Sequence, residues 1–229
     1  MSDNVIPGYA MKLLLNEQEV TDSVPESATL GAALTAVQEQ HIAEDEVIST
    51  IVVDDEPLTA DLLSEWKNRP VEEFSSVQIE APKRNLLASQ GLRLLSQGLS
   101  ESSEQREEIV DHICQGRHSQ AMELLTGYLN LWDSIQQSLG SAARLIEVDL
   151  DSLEVYESSE PDEVKRVADR IHQLNEQLKQ LQDALEAQDL VLLGDILEYE
   201  FGPLSEDWQH MLEQLADRFE NQDFGSQSN

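Results

Sequence analysis

Lysine and arginine are scarce in this chain: 14 of them stand against 46 aspartates and glutamates in 229 residues, a formal net charge of −32. The shortage holds throughout, with 3 bases against 17 acids up to Pro82 and 11 against 29 after it. Nucleic acid and anionic membrane both need cations to meet their phosphates, so neither is expected as a partner. The charge leaves a basic protein partner, a cation store, or a solvated face in a salty cytoplasm, and the solvated face needs the fewest assumptions. Cysteine is nearly absent too. Cys114 stands alone, which excludes an internal disulfide and fits a reducing compartment. Aromatic residues make up 5% of the chain, and the longest aliphatic runs, such as Leu13 to Leu15 and Leu190 to Leu193, are far too short to span a bilayer. The opening MSDNVIPGYAM lacks a basic segment followed by an apolar one, so a soluble cytoplasmic protein is expected.

Catalytic signatures are missing as well. There is no G-x-S-x-G, P-loop, dinucleotide glycine fingerprint or H-E-x-x-H, and isolated carboxylate pairs are too common here to nominate an acid and a base. The expectation is a protein that is not an enzyme and takes no cofactor.

A true core is affordable at 40% hydrophobic content, and the clearest part of it lies between Val164 and Leu185. Val164, Val167, Ile171, Leu174, Leu178, Leu181 and Leu185 recur at alternating spacings of three and four, one stripe of a helix with a period of 3.5. Ser158 and Ser159 as caps, Pro161 in the first turn, and Asp162 and Glu163 on the positive dipole end predict its start. Burying seven such side chains contributes on the order of 10 to 20 kcal/mol before entropy, against about 0.3 to 0.5 for an exposed ion pair. Packing therefore decides this helix. About three heptads with few opposite charges at e and g favour packing within the chain over a dimeric coil, so a monomer or weak homodimer is expected.

Before that seam the chain divides. Residues 1 to 8 read as a loose leader with a turn at Pro7-Gly8. A strand is predicted over Tyr9 to Leu15, a polar bend over Asn16 to Glu19, and a second strand through Val20. A helix capped by Thr29 carries Leu30, Leu34, Val37 and Ile42; a third strand covers Val47 to Val53 and stops at Asp54-Asp55-Glu56-Pro57. A short helix at Thr59 to Trp66 and a closing strand with Phe74, Val77 and Ile79 complete the order β-β-α-β-α-β.

That order is the order of a β-grasp, or ubiquitin-like, module. MKLLLNEQEV, the helix opening at Thr29-Leu30, and IVVDDEPL resemble the small sulfur-carrier proteins of thiamine and molybdopterin synthesis, over residues 9 to 80. The resemblance implies a β-grasp fold. The carriers act through a C-terminal Gly-Gly; here that place reads Glu80-Ala81-Pro82-Lys83 and the chain runs on, so carrier chemistry is not expected and a docking role is what the fold leaves.

Residues 83 to 85 are predicted as a linker, where period 2 gives way to period 3.6. Leu86, Leu87, Leu92, Leu94, Leu95 and Leu99 open a helix weakened by Gly91 and Gly98 at about 1 kcal/mol each. Ser100 to Ser103 are expected to cap a second helix with Ile109, Val110, Ile113 and Cys114. After Gln115-Gly116-Arg117-His118 a third carries Met122, Leu125, Tyr128, Leu129, Trp132, Ile135 and Leu139. The pair around Gly116 resembles one tetratricopeptide unit, but no second copy follows. Ala142 to Tyr156 continue that helix or start another, Leu190 to Phe201 form a short one, and Gly202-Pro203 separates it from a last helix with Leu204, Trp208, Met211, Leu212, Leu215 and Phe219. VLLGDILEYEFGPLSEDW is similar to a stretch of uncharacterised bacterial proteins that join a small N-terminal module to a helical one; this implies no activity.

The candidate sites are few. His112, Cys114 and His118 have no second pair nearby and Gly116 interrupts them, so a buried thiol with surface imidazoles is expected, and no metal. Asp149, Asp151, Glu154, Glu157 and Glu160 lack the glycine and spacing of an EF-hand loop. Glu198, Tyr199, Glu200, Glu206, Asp207 and Trp208 surround the Phe201-Gly202-Pro203 break and form the candidate docking edge for a partner, although dipole capping also accounts for Glu206 and Asp207, and Trp208 keeps core spacing.

The sequence thus predicts an α+β protein: a β-grasp domain over 9 to 82, a linker at 83 to 85, an all-α antiparallel helical bundle over 86 to 220, and a disordered tail over 221 to 229. The expected function is non-catalytic protein interaction or scaffolding with a basic or helical protein partner. Two alternatives are an acidic chaperone or adaptor of a bacterial secretion or flagellar system, and a metal-dependent factor using the carboxylates near Phe201.

Overall fold

A computed structural model describes residues 11–20, 28–156 and 164–222. The leader, the caps and proline before Val164, and residues 223 to 229 of the expected tail lie outside the described residues, whereas Asn221, also expected in that tail, ends the last helix. The chain forms two compact units that meet in sequence between Arg84 and Asn85. The class is α+β: a mixed sheet, then helices.

In the first unit five strands, β1 (Lys12–Leu15), β2 (Gln18–Glu19), β3 (Thr50–Val53), β4 (Glu56–Pro57) and β5 (Ser76–Glu80), lie in the order β2-β1-β5-β3-β4. The central pair β1 and β5 is parallel and the other pairs are antiparallel. Alternation decides the faces: Leu13, Leu15, Val53, Val77 and Ile79 are buried with Leu30, Ala33, Leu34 and Val37 of α1 (Leu30–His41). Thr29 and Thr59 cap α1 and α2 (Ala60–Trp66), each accepting from the amide three residues on at 3.3 Å. Gly31 donates to Lys67 O at 2.8 Å, and a Cβ there would meet that oxygen at 2.9 Å, so the approach of α1 to the end of α2 requires glycine.

Both hairpins turn on two residues with positive φ, Asn16-Glu17 and Asp54-Asp55, the left-handed pair a tight hairpin demands. The first residue of each turn also grips β5. Asn16 exchanges two hydrogen bonds with the Ala81 backbone, at 2.9 and 3.2 Å, beyond one end of the strand. Asp54 accepts from Ser75 N and Ser76 N at 2.8 Å each at the other. The segment Glu56-Pro57, expected as a stop, pairs with β3 instead; on an edge strand Pro57 deprives no neighbour of a ladder bond. Residues 83 to 85 are structured. Lys83 bridges to Glu46 and its ammonium lies 3.0 Å from Asp45, whose carboxyl it holds below its usual pKa, and helix begins at Arg84.

The second unit is built on α3 (Arg84–Cys114), α4 (His118–Leu145), α5 (Val167–Glu186), α6 (Leu190–Asp195), a π-helical turn (Ile196–Glu200) and α7 (Phe201–Asn221). Several expectations are corrected here. The two helices expected before Gly116 are one, α3, which runs through Gly91 and Gly98. Its hydroxyls fold back on their own helix, Ser102 to Leu99 O at 2.7 Å and Ser103 to Ser100 O at 2.8 Å, so they cap nothing, and the buried Leu92 and Leu99 outweigh the glycines. Helix α4 takes in Ala142 to Leu145, and the segment after Ile146 becomes a 3₁₀ turn (Leu150–Ser152) and strand β6 (Glu154–Tyr156), not a helix.

The bundle is accordingly not all-α. Strand β7 (Val164–Arg166) pairs antiparallel with β6, so Val164 is a strand residue 43% exposed, opposite Tyr156, and not the first position of the seam. The helix starts at Val167, where Val167 N bonds Leu153 O at 3.0 Å. The buried heart of the unit is aromatic: Trp132 meets Trp208 and Phe201 edge to face at 5.6 and 5.9 Å, and Tyr128 meets Phe201 at 6.0 Å.

Candidate functional site

The helix expected to break at Gly202-Pro203 does not break. Pro203 has no N–H, so the carbonyl four residues before it loses its helical donor, and the turn just ahead widens: Phe201 N bonds Ile196 O, five residues back. Arg106, reaching over from α3, donates to the carbonyls of Leu197 and Glu198 at 3.1 and 3.3 Å, a cation placed where the segment presents oxygens. Gly202 makes room for it, because a Cβ there would stand 2.8 Å from Nη1 of Arg106.

This wide turn sorts the candidate docking residues. Ile196, Leu197 and Phe201 point into the core, whereas Tyr199 is 65% exposed and Glu198 and Glu200 face solvent. The carboxylate of Glu198, with that of Asp195, holds the Tyr199 hydroxyl above its usual pKa. Gln177 of α5 reaches Glu200 at 3.5 Å. Just before, α6 exposes Val191 at 74% and Leu192 at 46%. The segment thus sets exposed apolar side chains beside exposed carboxylates.

Two of the nominated residues are elsewhere. Trp208 is fully buried in the aromatic cluster and unavailable to a partner. Asp207 faces Arg170 of α5 at 3.1 Å; the Arg170 side chain is 4% exposed and also donates to Gln173 at 2.8 Å. Glu206 is exposed. The sequence reading did not foresee Arg170 inside the seam, since a charged residue there reads as polar. It also passed over a visible signal: from Gln180 to Asp217 the chain has ten acidic residues and neither lysine nor arginine.

Along α5, Val167, Leu174 and Leu181 are buried with Ala184, while Ile171, Leu178 and Leu185 are partly covered. The His112, Cys114 and His118 expectation is reversed in detail: Cys114 is exposed, because Ile113 takes the core side of the last turn of α3, and the His112 side chain is 13% exposed and accepts from Arg117 Nε at 2.9 Å. Asp149 accepts from Asp151 N at 3.1 Å and caps the 3₁₀ turn; Glu157 and Glu160 lie outside the described residues. Among the described residues no three His, Cys, Asp or Glu are grouped to hold a metal ion, and no helix is long and apolar enough to cross a membrane.

Two family models match the chain. One, described as a domain of unknown function (DUF8042), covers residues 92–211; the other, described as the TP0873 N-terminal domain, covers residues 11–82. No curated protein and no solved structure matches.

Proposed function

The chain belongs to the family described as domain of unknown function (DUF8042), and from that premise we propose that it is a non-catalytic protein-interaction module that engages a basic partner through the ridge of α6 and the π-helical turn. The observation that carries this reading is the exposure of Val191, Leu192 and Tyr199 within a stretch of ten acids and no lysine or arginine. Exposed aliphatic and aromatic side chains supply contact area; the carboxylates of Asp195 and Glu198 select lysine or arginine and speed encounter. Arg106 and Gly202 fix the turn, so the ridge is preorganised and little ordering entropy is lost on binding. The N-terminal unit is read as a β-grasp module, supported by the order β2-β1-β5-β3-β4, its parallel central pair and the helix crossing between strands. It serves as a second docking element in a cytoplasmic, monomeric or weakly dimeric protein.

The test is affinity capture from the native organism with the full chain and with a Val191→Ser, Tyr199→Ser variant of unchanged helical circular dichroism. The reading expects a captured protein with a basic segment, released by salt and lost with the variant. Equal capture by both chains overturns it.

A further inference from the structure

The heptad stripe of α5 carries two rows, and the bundle uses them unequally. Val167, Leu174 and Leu181 are at most 1% exposed, while Leu178 and Leu185, offset from them, remain partly open. Leu178, Leu181 and Leu185, with Leu129 of α4, floor a groove of about 350 Å³ between the two helices. That volume lies at the lower end of binding clefts.

The polar lining residues of the groove are Asp133, Gln136 and Gln182. Asp133 stands on the α4 wall, held by Gln137 Nε2 at 2.6 Å. On the α5 wall Gln182 lines the groove and donates to Glu186 at 2.9 Å, one turn on. Among the described residues no lysine or arginine lines the groove. The lining thus holds one carboxylate, Asp133, oriented by a glutamine above a floor of leucines, and Glu186, exposed and next in sequence to the lining residue Leu185, adds a second beside it on α5.

We propose that this groove seats an amphipathic helix of a partner protein, its apolar face on the leucines and lysine or arginine on both flanks against Asp133 and Glu186. Leu178 and Leu185 are seven residues apart, about 10 Å along the helix axis, which matches the anchors at i, i+3 or i+4 and i+7 that a helix offers a groove. Charge chooses the occupant. A second copy of this chain would bring the carboxylates of two rims together, whereas a basic flank meets them. The proposal shares the reading of the chain as an interaction protein but uses a face other than the α6 ridge, so the two stand or fall separately.

A displayed library of helical peptides, randomised at all surface positions and selected on the full chain, tests it. Selected sequences should share apolar residues at i, i+3 or i+4 and i+7 flanked by lysine or arginine. Their affinity should fall at least tenfold on Leu178→Ser, and equally on Asp133→Lys, Glu186→Lys, whose exposed positions leave folding intact. It should be unchanged on Tyr199→Ser. Selected peptides without that spacing, with acidic flanks, or with equal affinity for the charge-reversed chain overturn the proposal. So does a tight dimer in sedimentation that Leu178→Ser dissociates, which would make the occupant a second copy.

Discussion

Gly202 and Arg106 claim the same space: the glycine lacks a side chain where Nη1 of the arginine sits, 2.8 Å from the position a Cβ would take. The arginine uses that space to donate to the Leu197 and Glu198 carbonyls beside the π-helical turn.

Gly202→Ala is therefore expected to destabilise the second unit, although alanine is worth up to about 1 kcal/mol over glycine inside a helix. Displacing Arg106 costs charge-assisted hydrogen bonds, each about 1.5 to 3 kcal/mol. In an Arg106→Ala background the sign should reverse, and Gly202→Ala should stabilise. Urea unfolding of the four chains measures the coupling, and additive values would remove the steric account.

Asp207→Ala takes the carboxylate from beside a guanidinium buried between α5 and α7, and should cost roughly 2 to 4 kcal/mol. Replacing both partners, Arg170→Met with Asp207→Leu, should restore most of that loss, because no charge is then desolvated. A double replacement as unstable as Asp207→Ala alone would show that the ion pair itself, not its burial, matters.

Asn16→Ala and Asp54→Ala each remove two hydrogen bonds from an end of β5 and a side chain suited to positive φ. A loss of about 1 to 2 kcal/mol is expected for either. It should be read by Trp66, the one tryptophan of the first unit, with Trp132 and Trp208 replaced by phenylalanine. Equal loss in a transition followed at Trp132 and Trp208 would place the effect outside the sheet.

Burial raises the pKa of the Tyr128 phenol above its usual 10.0, Ser205 at 3.4 Å only partly opposing it. A raised folded-state pKa gives stability that is complete below pH 10 and lost as pH climbs toward the folded value. Unfolding should become easier above about pH 10, and Tyr128→Phe should flatten that dependence. A slope unchanged by the substitution would assign the effect to other groups.

The residues that act through near neighbours were legible from sequence. Thr29 caps its helix because a hydroxyl reaches an amide three residues on, and the alternation of Leu13, Leu15, Val77 and Ile79 declares a buried sheet face. Where a rule competes with long-range packing, sequence failed. Gly91 and Gly98 weaken a helix locally, yet Leu92 and Leu99 bury fully and α3 runs on past both. Val164 keeps the seam's spacing, but pairing with Tyr156 draws it into a strand.

The docking candidates divide in the same way. That Glu198, Tyr199 and Glu200 cluster by a proline was visible, but the donor to the carbonyls of Leu197 and Glu198 comes from Arg106, about ninety residues earlier. Nothing local announces Arg170 as the partner of Asp207, whereas the core spacing of Trp208 already pointed inward, to where it meets Trp132.

The stretch without lysine or arginine has a practical corollary. Trypsin cuts after those two residues, so nothing between Lys179 and Arg218 offers it a bond, even when the chain is denatured. The end of α5, α6, the wide turn and most of α7 leave a digest as one peptide, Gln180–Arg218. Any reagent that joins a partner to the ridge will shift the mass of that single fragment.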